Sequence, residues 1–138
     1  MSGNDLNTSL TISADGMAAQ TARLRVIAQN IANADTTGGA PAADPYQRRT
    51  ITFQAKLNGA LGADTVQVKS IDHDQSEFPK KYDPANPAAD AQGYVKLPNV
   101  NSFIELMDMR EAERSYSADV AVMQASRTML NRTIDLLK

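Results

Sequence analysis

SFIELMDMREAERSYSADVAVMQASRTMLNRTIDLLK, running from Ser102 to Lys138, contains neither proline nor glycine. Met109, Tyr116, Met123, Leu130 and Leu137 recur every seven residues, and Leu106, Val120 and Ile134 keep the same period three residues earlier. A sustained apolar repeat of seven marks a helix that packs along one seam. At ~1.5 Å per residue such a helix spans ~55 Å, too long for the core of a compact chain this small. Ser102 with Glu105 fits a capping box, in which each side chain satisfies an amide of the first turn. Glu113 and Arg127 interrupt the second stripe. They either reach solvent or set register with neighbouring chains.

The opposite end has the same character. From Asp5 to Ala34 the residues read as a helix, with Leu10, Met17, Leu24 and Ile31 on one heptad stripe and Ala14, Thr21 and Ala28 interleaved. Small seam residues admit a second helix closely but bury little area, so order is expected to be completed by packing against other copies. Gly16 inside this run costs about 1 kcal/mol relative to alanine. Asn33, Asp35, Thr36, Gly38 and Gly39 supply the stop. The expected fold is mainly α, with residues 1–35 and 99–138 as N- and C-terminal helices pairing as a coiled-coil-like stalk. Residues 36–98 form a small β or irregular middle segment.

In that middle, Thr50 to Gln54 and Val66 to Lys69 alternate apolar with polar and read as strands, with Asn58-Gly59 as a turn between them. Tyr94 to Leu97 suggests a further short strand. Pro79, Pro84, Pro87 and Pro98 favour turns or extended chain over helix. Asp83 and Asp90 flank these turns and suit capping roles.

Chemistry is sparse. The chain has 138 residues, one histidine, no cysteine and a formal net charge of −2. Disulfides, thiolate metal sites and thiol nucleophiles are excluded. An acidic balance with only two short arginine pairs, Arg23/Arg25 and Arg48/Arg49, argues against nucleic-acid binding. Asp72-His73-Asp74 is the one cluster that could orient an imidazole or hold a metal. Adjacent residues rarely converge on one point, so it reads as a solvated turn. No apolar run reaches the ~20 residues of a membrane span, and the first residues lack a signal-peptide pattern. No catalytic, metal or cofactor site is expected.

Particular residues carry the reading further. Ser13-Ala14-Asp15-Gly16-Met17, Ala19-Gln20, Arg23-Leu24, Ile27-Ala28 and Asn30-Ile31-Ala32-Asn33-Ala34-Asp35-Thr36 closely resemble the N-terminal signature of bacterial flagellar rod and hook proteins. Tyr82-Asp83-Pro84, Pro87 to Asp90 and Gly93-Tyr94-Val95-Lys96-Leu97-Pro98-Asn99 narrow the resemblance to the FlgC family of the proximal rod. Met107, Met109, Ala112 and Arg114 to Ala118, with Pro45 to Arg49 and Phe53, agree with it. Asp119 stands where that family usually has Asn, and Ala85-Asn86 where it commonly has Gly-His.

The resemblance implies a structural protein, not an enzyme. It would polymerise helically through its terminal helices in the basal-body rod, a drive shaft that transmits torque across the periplasm. Leu10, Met17, Leu24, Ile31, Leu106, Met109, Tyr116, Val120, Met123, Leu130, Ile134 and Leu137 would pack within and between subunits. Implied partners are copies of itself, other rod proteins, the rod-base adaptor and membrane ring, the type III export apparatus, and peptidoglycan. Export would proceed without a cleaved signal. The competing reading is a soluble helical adaptor or export chaperone that binds one partner helix.

Overall fold

The computed structural model describes residues 3–136. Two helices of 30 and 34 residues, α1 (Gly3–Ala32) and α2 (Ser102–Asp135), bracket four strands. These are β1 (Arg49–Asn58), β2 (Ala63–His73), β3 (Lys80–Tyr82) and β4 (Tyr94–Lys96). Among the described residues, no helix is long and apolar enough to cross a membrane.

The strands form two separate two-stranded sheets, β1 with β2 and β3 with β4. The β1–β2 hairpin is longer than the alternation predicts. Its turn opens at Asn58, whose carbonyl accepts from Leu61 N at 3.0 Å and Gly62 N at 2.8 Å. Asn58 Oδ1 also accepts from Ala60 N at 3.1 Å. The left-handed position falls on Gly62, with φ 63°, where a missing Cβ removes the steric penalty. The β3–β4 pair is antiparallel, with Lys80 opposite Lys96, Lys81 opposite Val95 and Tyr82 opposite Tyr94.

Helix α1 ends as the Asn33 side chain donates to Gln29 O at 2.8 Å and Thr36 Oγ1 to Asn33 O at 2.8 Å. Helix α2 starts differently from the capping-box expectation. Asn101 is the N-cap, its Oδ1 accepting from Phe103 N at 3.0 Å and Ile104 N at 3.3 Å. Glu105 does not turn back to Ser102, because its carboxylate is taken by partners elsewhere in the fold.

Contacts divide the chain into two compact units. Residues 1–24, 52–70 and 110–138 make up unit 1, and residues 25–51 and 71–109 make up unit 2. Unit 1 buries Leu6, Ser13, Ala19, Thr65, Ala112 and Ser126. Within it Ser9 Oγ meets Ser126 Oγ at 3.1 Å and Arg23 pairs with Glu111 at 3.6 Å. Asp119 lies against Gly16, where an added Cβ would stand 2.7 Å from Oδ2. As residue numbers rise along α1 they fall along α2, so the two segments run antiparallel. Unit 2 buries Val26, Ile27, Ala88, Val95 and Pro98 around two buried polar residues, Asn30 and Glu105.

Candidate assembly surfaces

The most constrained group in unit 2 is a polar cluster built on Asn30. Its Oδ1 accepts from Tyr46 Oη and from Arg49 N, both at 2.9 Å. Its Nδ2 donates to Arg49 O at 2.9 Å and to Glu105 Oε2 at 3.1 Å. An amide side chain offers two donors and an oxygen with two lone pairs, so Asn30 is saturated. Glu105 Oε1 accepts from Arg48 Nε at 2.6 Å. Arg48 also faces Asp74 at 3.6 Å and Asp108 at 3.9 Å.

Electrostatics follow that geometry. Burial works against the Arg48 charge, but Glu105, Asp74 and Asp108 outweigh it and raise its pKa. Hydrogen bonds from Ser76 hold the Asp74 carboxyl below its usual value, and Arg48 adds to this. Burial pushes the Tyr46 phenol up; Arg49 opposes the shift and Glu105 reinforces it.

Asn99 makes a second clasp. Its Oδ1 accepts from Arg48 N at 2.7 Å, and its Nδ2 donates to Asp74 O at 3.0 Å and Ser76 Oγ at 2.9 Å. The chain before β1 and after β2 is thereby tied to the start of α2. Asp74 is thus engaged with Arg48 and Ser76, whereas Asp72 and His73 lie exposed at the end of β2 rather than in a turn.

Beyond this cluster, Tyr82 and Tyr94 pack edge to face with centroids 5.3 Å apart, both exposed. Gly93, with φ 85°, leaves room for the Tyr82 ring and Pro84. Asp90 Oδ1 caps the turn that follows it, accepting from Gln92 N at 3.0 Å and Tyr94 N at 2.9 Å. Pro98 is fully buried. Asp83 N donates to Gly93 O at 2.9 Å.

The heptad residues fall beside the most buried stripe. Leu10, Met17, Leu24 and Ile31 are half-buried, each four residues, or about 40° around the helix, past Leu6, Ser13, Gln20 and Ile27. Ala14, Thr21 and Ala28 are exposed. In α2, Met109, Val120, Met123 and Leu130 are half-buried, whereas Leu106, Tyr116 and Ile134 are exposed. Leu137 lies outside the described residues. Glu113, Arg114 and Arg127 are exposed. From residue 105 to 126 the stripe of Glu105, Ala112, Asp119 and Ser126 is buried or half-buried at each step and is small or polar throughout, and its next member, Thr133, is exposed. Phe103, Ile104 and Met107, which the heptad reading passes over, are 73%, 51% and 55% exposed.

A helix whose most buried positions are small or polar, and whose Phe103, Ile104, Leu106 and Met107 stand in water, has apolar surface left for a neighbour. Comparison with known proteins identifies the family. A family model for the flagella basal body rod protein matches residues 10–38, and one for the flagellar basal body rod FlgEFG protein C-terminal matches residues 91–136. The flagellar basal-body rod protein FlgC of Agrobacterium fabrum is 48% identical over 133 residues, covering 96% of each chain. That of Escherichia coli O6:H1 is 42% identical over 127 residues, covering 91% of this chain and 92% of the relative. That of Bacillus subtilis is 35% identical over 145 residues, covering 94% and 97%. This chain belongs to the FlgC family. The two family models match the chain on its helices and on the β4–α2 approach, leaving residues 39–90, which hold β1 to β3, outside both matches.

Proposed function

We propose that the chain is a structural, non-enzymatic subunit of the bacterial flagellar basal-body rod. The supporting observation is the distribution of apolar surface along α2. Phe103, Ile104, Leu106, Met107, Tyr116, Val122, Met129 and Ile134 are exposed, while the fully buried residues of α2, Glu105, Ala112 and Ser126, are small or polar. Covering these apolar side chains against neighbours removes them from water and so favours association.

In this reading residues 1–35 and 99–138 are the axial core, pairing as a coiled-coil-like stalk, and residues 36–98 are an outer segment. Leu10, Met17, Leu24, Ile31, Leu106, Met109, Tyr116, Val120, Met123, Leu130, Ile134 and Leu137 pack within and between subunits. Head-to-tail contacts with a non-closing rotation then generate a helical shaft that transmits torque through the periplasm. Neighbours are copies of the chain, other rod proteins, the rod-base adaptor and membrane ring. Delivery uses the flagellar type III export apparatus without signal cleavage, and the outer segment faces peptidoglycan.

Quantitative mass spectrometry of purified hook–basal bodies tests the reading. Several copies per particle, retained after the membrane ring is washed, are expected. A chain absent from the particles and found free in the cytoplasm would refute it.

A further inference from the structure

Unit 1 holds a cavity of about 650 Å³ whose lining includes Ile12, Gln20, Phe53, Asp64, Val66 and Asp119. Ile12, Phe53 and Val66 make part of its wall apolar, and Asp64 and Asp119 place two carboxylates in its lining. Among the described residues, neither the Asp64 nor the Asp119 carboxylate has a hydrogen-bond or ion-pair partner, and Gln20 Oε1 is buried without a donor. Gly16 supplies the space in which the Asp119 carboxylate sits, since a Cβ there would meet it at 2.7 Å. Gln20 Oε1 is the buried acceptor, at a cost that a donor would relieve, while Asp64 is exposed and Asp119 half-buried, so both carboxylates are open to a cationic partner.

The other side of the same helix carries the matching groups. Arg110 precedes Asp119 by nine residues, two and a half turns, and so points half a turn away. Arg114 precedes it by five residues and is offset by about 140°. Both arginines are exposed, and neither has a partner among the described residues. A guanidinium brings five donors in a planar fork, and its methylene stem suits apolar walls. Acceptors and donors on opposite sides of one helix cannot satisfy each other within one copy.

We propose that this cavity receives the Arg110–Arg114 face of a second copy of the chain. The contact is heterologous, because each copy offers a cavity on one side and the arginines on the other, and it repeats without closing. It rests on the rod-subunit reading and specifies how neighbouring copies grip one another.

Sedimentation velocity on the full chain provides the solution test. The unsubstituted chain associates as concentration rises. Asp64→Asn with Asp119→Asn, or Arg110→Gln with Arg114→Gln, weakens association about ten- to hundredfold. Far-UV circular dichroism stays unchanged. Mixing the two variants yields a one-to-one dimer that grows no further, since each retains one half of the contact. Undiminished association of either variant, or a mixture that forms no dimer, overturns the proposal.

Because the chain has no cysteine, Gln54→Cys on the cavity wall and Ser117→Cys beside Arg114 permit clean cross-linking in isolated basal bodies. Oxidation of the double variant should give a ladder of covalent homo-oligomers, and neither single variant should. Particles that contain the double variant but yield no ladder overturn the contact and leave the rod reading intact. Absence of the unsubstituted chain from the particles overturns both.

Discussion

Arg48 Nε lies 2.6 Å from Oε1 of Glu105, a carboxylate only 1% exposed. A charge this deeply buried is tolerable only while it stays paired and hydrogen-bonded. Arg48→Met therefore costs about 3 kcal/mol, most of it from the stranded carboxylate. Glu105→Gln costs less, about 1–2 kcal/mol, because the amide still accepts a hydrogen bond. Arg48→Met with Glu105→Leu recovers much of the loss. Urea midpoints of the wild type, Arg48→Met, Glu105→Leu and the double variant give the coupling; a double variant no better than Arg48→Met alone would contradict this account.

Asn30 makes a sharper comparison, because all four of its hydrogen-bonding positions are occupied. Asn30→Ala leaves the Arg49 amide and a Glu105 oxygen without partners and costs about 2–3 kcal/mol. Asn30→Asp preserves shape but places a second carboxylate against Glu105. At neutral pH it destabilises at least as much as alanine, and its deficit shrinks as pH falls and one acid takes a proton. Unfolding at pH 7 and pH 5 tests this. A deficit that widens on acidification would be inconsistent with the mechanism.

These residues also mark what was legible beforehand. Both helices, the β1–β2 hairpin and the β4 strand follow from local pattern, since alternation, proline placement and seven-residue spacing act over a few residues. Glu105 could not be read correctly: a Ser102–Glu105 spacing fits a capping box, and only the fold reveals that Arg48 and Asn30 capture the carboxylate while Asn101 caps the helix. The stripe of Glu105, Ala112, Asp119 and Ser126 was equally hidden. Hydropathy marks residues that must leave water but not which molecule covers them, whereas close helix approach uses small residues with little apolar signal. The three-residue β3 carries too few positions to show alternation.

Tyr46 gives a prediction in the alkaline range. Its phenol donates to Asn30 Oδ1, and burial raises its pKa above the usual 10.0. A raised folded-state value means that folding favours the protonated form. The contribution is therefore fully present below the unfolded pKa and is lost as pH rises through the folded one. Absorbance at the phenolate band should show a late-titrating tyrosine that vanishes in Tyr46→Phe. The stability difference between wild type and Tyr46→Phe should narrow above about pH 10. A titration left unchanged by the substitution would remove Tyr46 from this role.

Gly93 is held at φ 85°, and a Cβ there would stand 2.9 Å from Tyr82 Cε2 and 3.2 Å from Pro84 Cβ. Gly93→Ala combines backbone strain with that contact and should cost about 1–3 kcal/mol, with a change in the near-ultraviolet signal of the Tyr82–Tyr94 pair. Gly39 has nothing within 4 Å of an added Cβ and no positive φ. Gly39→Ala should stay within about 0.5 kcal/mol of wild type. Equal effects at the two sites would show that conformation at residue 93 is not what matters.

Exposure separates assembly from stability along α2. Phe103 is 73% exposed, whereas Met123 is half-buried within its own subunit. Phe103→Asp should leave the urea midpoint within about 0.5 kcal/mol of wild type, because the side chain already sits in water. In the assembled shaft the same carboxylate would have to be desolvated against a neighbour, so incorporation into basal bodies and motility should fall. Met123→Asp should reduce both stability and incorporation, since it also places a charge at the flank of the intramolecular seam. His73→Ala, at an exposed strand end, should alter neither. Swimming assays on cells carrying each variant, with immunoblots for chain level, distinguish the three. A fully motile Phe103→Asp strain would show that this face is not covered in the shaft, whatever the fate of the Met123 variant.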